Sequence, residues 1–183
     1  MESTKVITGK IRFSYANLFT PRNSMGGGDP KYGACLLIPK SDKKTCNAIK
    51  AALEAARINS AALFGGKVPT SLKSPVHDGD GEMPNGGEYG PECKGCLVIN
   101  ASSKQKPGLI DRDRQEILDP TEFYSGCYGR ASLNFYAYNT NGNKGIACGL
   151  NNVQKLADGE ALGGRARAQD DFNDDFNDFD DEI

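Results

Sequence analysis

Residues 126–138 read GCYGRASLNFYAY, and the types alternate. Cys127, Gly129, Ala131, Leu133, Phe135 and Ala137 are small or apolar, whereas Tyr128, Arg130, Ser132, Asn134, Tyr136 and Tyr138 are aromatic, basic or polar. Side chains of a strand point alternately to opposite faces, so one face enters a core and the other displays three tyrosines and an arginine. Aromatic rings stack on bases of single-stranded nucleic acid at about 1–3 kcal/mol per base whatever the sequence, while Arg and Lys hold the phosphates. Tyrosine also has high strand propensity and pairs well across strands, which leaves a plain packing role open for the same face. The neighbouring charge favours the polyanion. Lys10 and Arg12 share the polar parity of TKVITGKIRFSY, and Arg22, Lys31, Lys104, Lys106, Arg112 and Arg114 lie in or beside loops.

Other residues with reactive types carry weaker signals. Asp78, Asp80 and Glu82 have the chemistry to gather a divalent cation for phosphodiester hydrolysis, but they sit in a glycine-rich loop where solvated acids are the ordinary outcome. Cys93 and Cys96 form one CxxC without a second pair, so four zinc ligands would require His77, the single histidine, and distant cysteines. GGGDPK lacks the order of a phosphate-binding P-loop. Asp171, Asn173, Asp175 and Glu182 imitate a calcium loop, yet Phe176 stands where that loop needs glycine. With one histidine and no nucleophile pair, the chain is not expected to be an enzyme, and no metal or cofactor is expected.

The end of the chain, DDFNDDFNDFDDEI, holds eight carboxylates, three phenylalanines and no basic side chain. Setting those eight aside, the rest carries 22 basic and 16 acidic residues, a basic body joined to an acidic tail. A basic groove that selects polyanions attracts such a tail too. With its linker from about residue 157 the tail has 27 residues, and a flexible coil of that length spans about 25–30 Å, enough to cross a small domain. It is therefore expected to compete for the groove and to be displaced by the real ligand. Phe172, Phe176 and Phe179 fall on one helical face, and with Asp180, Asp181, Glu182 and Ile183 they form the expected partner-binding segment.

The elements that must position these residues are mostly strands. TKVITGKIRFSY reads as a strand with Ile7, Gly9, Ile11 and Phe13 on its apolar parity, and KYGACLLIP as a buried strand. One strong helix is predicted over about 41–57, capped by Ser41 or Asp42, with Cys46, Ile49, Leu53 and Ala56 on one face. Residues 70–95 read as a long loop; CLVINASS and PGLID read as a hairpin; TNGNKG is a turn between 126–138 and IACGL. Five or six strands with one helix after the second argue for a small β-barrel. The 183 residues suit one domain at 1–156, a linker at 157–169 and a tail at 170–183. No apolar run is long enough to span a bilayer, and the six cysteines read as reduced thiols, so a cytoplasmic protein without membrane contact is expected.

IPKSD before the helix, YSGCYGRASLNFYAY, and GNKGIACGLNNVQKLADGEALGGR together resemble a phage-encoded family of single-stranded DNA-binding proteins with an OB-fold and an acidic tail. The resemblance covers most of residues 4–167. It implies a mainly β chain, with a five-stranded Greek-key barrel, inserted loops and a disordered acidic tail, that coats single-stranded DNA in replication or recombination without catalysis. Carried over residue by residue, its strand face corresponds to Tyr128, Arg130, Tyr136 and Tyr138. The implied setting is the cytoplasm of an infected bacterium, with replication or recombination proteins meeting the tail and room for a homodimer. Unlike the better-known bacterial tail, this one ends in Ile183, with Phe179 internal. The rival readings are a metal-dependent nuclease built on Asp78, Asp80 and Glu82, and an interaction adaptor that binds no DNA.

Overall fold

The computed structural model describes residues 3–23, 29–140 and 142–162. The tail residues Phe172, Phe176, Phe179, Asp180, Asp181, Glu182 and Ile183 lie outside them. The strands are β1 (Lys5–Ile7), β2 (Ile11–Arg22), β3 (Lys31–Pro39), β4 (Val76–Asp78), β5 (Cys96–Ser103), β6 (Gly108–Ile110), β7 (Tyr128–Thr140) and β8 (Asn143–Ala157), and the helix α1 covers Lys43–Ile58.

Five of the strands close on themselves. β2 pairs antiparallel with β3, β3 with β5, β7 with β8 and β7 with β2, while β5 and β8 run parallel through Ala101↔Cys148 and Ser102↔Gly149. This circuit, β2-β3-β5-β8-β7 and back to β2, is the OB barrel, in which closure removes the exposed edges that invite aggregation. The remaining strands are three residues each: β1 pairs with β7, β4 with β5, and β6 with β8.

Alternation fills the barrel. Phe13, Leu36, Ile38, Ile99, Leu133, Phe135 and Val153 point into one buried cluster, with Phe123 edge-on to Phe13 at 5.0 Å between ring centroids. On β7 the odd residues Gly129, Ala131, Leu133 and Phe135 are buried while Tyr128, Arg130, Ser132, Asn134 and Tyr136 are not, as the pattern predicts. The turn to β8 also forms as read: Thr140 faces Asn143, and Gly142 takes φ 87°, a left-handed conformation that glycine adopts without steric cost. α1 packs Cys46, Ile49, Ala52 and Ala56 into the same core and lies against β1, β7 and β8.

Three sequence expectations are corrected. The stretch 4–15 is two strands, because the chain breaks at Thr8–Lys10 and changes parity there. Val6 and Thr8 are buried before the break, Ile11 and Phe13 after it, and Ile7 is 58% exposed. Thr8 is tolerated in the core because its hydroxyl donates to the Gly9 carbonyl (2.8 Å) and accepts from the Ala131 N–H (3.0 Å). The expected hairpin of 96–103 with 107–111 does not form, since β6 pairs in parallel with β8 instead of returning along β5. Residues 70–95 are not one open loop: they contain β4, a turn of 3₁₀ helix at Pro91–Cys93, and a small hairpin whose arms meet at Glu82↔Glu88.

Of the two cap candidates the helix uses Asp42. Its carboxylate accepts from the Thr45 N–H (3.1 Å) and Thr45 Oγ1 (2.6 Å), and Thr45 Oγ1 in turn accepts from the Gly9 N–H (2.9 Å). A Cβ at Gly9 would come 2.5 Å from Asp42 Oδ2, so this close approach requires glycine. The cap therefore also fastens the break between β1 and β2 to the helix. The hydrogen bonds from Thr45 hold the Asp42 carboxyl below its usual range. Asp42→Ala should cost about 1 kcal/mol in denaturant unfolding at neutral pH. Because the folded-state pKa is depressed, that contribution is present above the ordinary carboxyl value of about 3.9 and is lost as pH falls through the lower folded value. The gap between wild type and variant should thus close in acid.

Candidate nucleic-acid interface

The outer face of β2, β3 and β5 is set by register. Arg12, Leu37 and Val98 form one row, Ser14, Cys35 and Asn100 the next, and Asn17, Gly33 and Ser102 the third. Leu37 and Val98 of the first row and Cys35 of the second are covered: they share one apolar cluster with Tyr89, Cys93, Cys96 and Leu162. The other two rows floor a groove made of small and polar side chains.

Two cavities share this floor. One, of about 250 Å³, lies among Ser14, Tyr15, Cys35, His77, Met83, Tyr89 and Asn100. The second, of about 220 Å³, lies among Lys73, His77, Asn100, Ser102, Tyr138 and Cys148. His77 and Asn100 line both, so the two cavities adjoin along one face, the groove.

Each aromatic wall has a local cause. From Ser14↔Cys35 to Asn17↔Gly33, β2 advances three residues while β3 moves two, a β-bulge. Tyr15 sits in it at φ 46°, uncommon for a side chain of this size, and is 71% exposed. Tyr89 follows the small hairpin, held by bonds from the Gly86 N–H to the Met83 carbonyl and from the Met83 N–H to the Gly87 carbonyl, both 2.9 Å. Tyr138 lies across Gly145, where a Cβ would come 2.6 Å from the phenol oxygen and displace the ring.

Beyond Ser102 the floor runs toward basic residues. Arg22 pairs with Lys31, Tyr32 with Ser103, and Lys104 follows; Lys104 Nζ is 4.0 Å from Asp29, and Lys106 sits 5.3 Å over the Phe19 ring. Four of the basic residues singled out in the sequence, Arg22, Lys31, Lys104 and Lys106, are thus brought together at one end of the groove.

The remaining ones are placed elsewhere. Lys10 and Arg12 stand 5.1 and 5.4 Å from the Tyr128 ring centroid, and Arg12 donates to the carbonyls of Gly126 (3.0 Å) and Glu160 (2.7 Å). A Cβ on Gly159 would come 2.7 Å from that ring. These contacts and Leu162 N–H to the Ser125 carbonyl (2.8 Å) fasten 158–162, which the sequence assigns to the linker, to the body. Arg130 donates to the Thr8 carbonyl (2.9 Å) and neighbours Gln154, whose amide reaches the Asp111 carbonyl (3.2 Å) in the turn bearing Arg112 and Arg114. Tyr128 and Tyr138 are ten residues apart on β7, about 33 Å of strand. Tyr138 lines the groove, whereas Tyr136, 45% exposed, lies near Gly149 on the outer side of β7 and β8.

Tyr15, Tyr89, Asn100 and Lys73 were not singled out from the sequence, and His77 figures there only as a zinc ligand. An isolated aromatic in a loop carries no periodic signal, although the Gly and Pro density around Tyr89 marks a built loop.

Two of the three carboxylates of the rival nuclease reading, Asp78 and Asp80, have another partner. Lys40 Nζ lies 2.6 Å from Asp78 and 2.7 Å from Asp80, and Asp80 also accepts from the Gly95 N–H (3.0 Å). These bonds lower both carboxyl pKa values and raise that of Lys40, so both acids are engaged by a resident ammonium. Among the described residues no three of His, Cys, Asp and Glu gather as metal ligands. Burial pushes the thiols of Cys35, on the groove floor, and Cys148, in the core behind it, up to about 12, which keeps both neutral. No described helix is long and apolar enough to cross a membrane.

Known proteins are similar to this chain in sequence, in structure or in both. Protein p50 of Acyrthosiphon pisum secondary endosymbiont phage 1 is 30% identical over 178 residues, 93% of each chain. The single-stranded DNA-binding protein from bacteriophage Enc34, solved in complex with ssDNA, is 29% identical, with a TM-score of 0.74 over 87% of this chain and 90% of that one. Gp2.5, a single-stranded DNA-binding protein encoded by bacteriophage T7, superposes with a TM-score of 0.56 over 98% of this chain and 94% of that one; at 15% identity it shares the fold alone. The family described as "Enterobacter phage Enc34, ssDNA-binding protein" matches residues 4–183, and the chain belongs to it.

Proposed function

We propose that the chain binds single-stranded DNA without sequence requirement, holding the strand in the groove over β2, β3 and β5. The observation that carries this reading is the groove's build: a floor of Ser14, Asn17, Gly33, Asn100 and Ser102, tyrosines 15, 89 and 138 on its walls, and Arg22, Lys31, Lys104 and Lys106 at one end. Tyrosines offer stacking to any base, and the basic end takes phosphates. This is a binding function and not an enzymatic one. Coating of single strands during phage replication or recombination, in the cytoplasm of the infected host, is the setting that fits it.

Leu162 supports a role for the acidic tail. It packs against the cluster of Cys35, Leu37, Cys93 and Val98 beside the groove, and 21 residues follow it. Fully extended, these 21 residues span about 75 Å at most, so the chain is long enough to bring its carboxylates to the basic end. In this reading the tail competes with DNA for the groove and, once displaced, offers Phe172, Phe176 and Phe179 to replication or recombination proteins. Tyr128, Arg130 and Tyr136, with Lys10, Arg12, Arg112 and Arg114, form an outer ring of candidate contacts for a longer strand. β1 pairs only with β7 among the described residues, which leaves an edge for a homodimer.

Two measurements test the reading. Tyr138→Ala should weaken oligonucleotide binding by about 1–3 kcal/mol, and Lys104→Ala should lower the slope of log affinity against log salt by about 0.7; unchanged values in folded variants would remove these residues from the interface. Truncation after Gln169 should tighten binding, most at low salt. Equal affinity with and without the tail would leave it with recruitment alone.

A further inference from the structure

The groove is not uniform along its length. The cavity beside Tyr89 has Met83 and Pro84 on the hairpin above it and Ser14, Cys35 and Asn100 below. Its lining contains no lysine or arginine, and Glu92 stands on its wall. A phosphate would meet a carboxylate and find no cation there, whereas a neutral base would meet a tyrosine ring, a thioether and a proline. At the cavity's inner edge His77 and Asn100 present hydrogen-bonding side chains that no described residue engages. Cys35, with its thiol kept neutral, and Val98 complete a floor that excludes charge.

We infer that this cavity takes one nucleobase out of the strand, face against Tyr89 and edge toward Asn100 and His77, while the backbone passes over the second basin with Lys73 and Tyr138. Nonspecific affinity then comes from the basic end of the groove, and Asn100 adds a preference among bases at one position. The inference rests on the reading of the groove as a DNA interface and sharpens it from stacking alone to the reading of one base edge.

The test compares the full-length protein, Tyr89→Ala and Asn100→Leu on oligonucleotides of equal length: thymidine, cytidine and an abasic backbone. Wild type should bind thymidine more tightly than the abasic strand. Tyr89→Ala should lower thymidine affinity at least about fivefold and leave abasic affinity unchanged. Asn100→Leu, at an exposed position, should alter the cytidine-to-thymidine ratio by about two- to tenfold with abasic affinity again unchanged. If Tyr89→Ala weakened both strands alike, or Asn100→Leu left the ratio as it was, the cavity would not be a base site and the groove would stand as a plain stacking surface. If wild type bound none of the strands, the DNA reading itself would fall.

Discussion

The register of β3 against β5 fixes both sides of the molecule. Leu36 opposite Ile99 and Ala34 opposite Ala101 face the barrel core, while Cys35 opposite Asn100 and Gly33 opposite Ser102 face the groove. A slip of one residue would exchange these sets, putting leucine on the groove face and asparagine into the core. The closed circuit opposes such a slip, because β5 is also held in parallel to β8, which is paired along nearly all of β7. The groove is thus the reverse side of the hydrophobic core, and its shape depends on the packing of that core.

On this frame the irregular elements supply the chemistry. The bulge in β2 turns Tyr15 outward, the hairpin at 82–88 hangs Met83 and Tyr89 over the sheet, and Gly145 gives Tyr138 room to lie flat. Irregularity at the rim of a barrel costs little of the core and re-aims side chains toward a ligand. The ion pairs of Lys40 with Asp78 and Asp80 tie the start of that inserted loop to the end of β3. In this position the two aspartates act as an anchor for the loop.

Much of the barrel was legible in the sequence. The alternation in β7, the helix capped by one of its two candidates and the tight connection from β7 to β8 all rest on local rules, which is why they were foreseeable. What was illegible depends on pairing at a distance. The parity change at Thr8 requires the Ala131 N–H as partner, and β6 chooses β8 over its sequence neighbour β5. The site behaves likewise. Tyr128 and Tyr138 share a strand face, yet a strand of this length wraps the barrel and leads them to different surroundings, one beside Arg12 and the 158–162 segment, the other in the groove. Conversely Tyr15, His77, Tyr89 and Asn100 come from four separate segments, and only the fold assembles them.

The central claim is that single-stranded DNA occupies the face of β2, β3 and β5. Amide hydrogen exchange of the full-length protein, with and without a saturating thymidine oligonucleotide, tests it most directly. Protection gained in 82–90 and 96–103 is the predicted result. Protection confined to β1 and the 108–116 segment on the other side of the barrel, with none in 82–103, would contradict it.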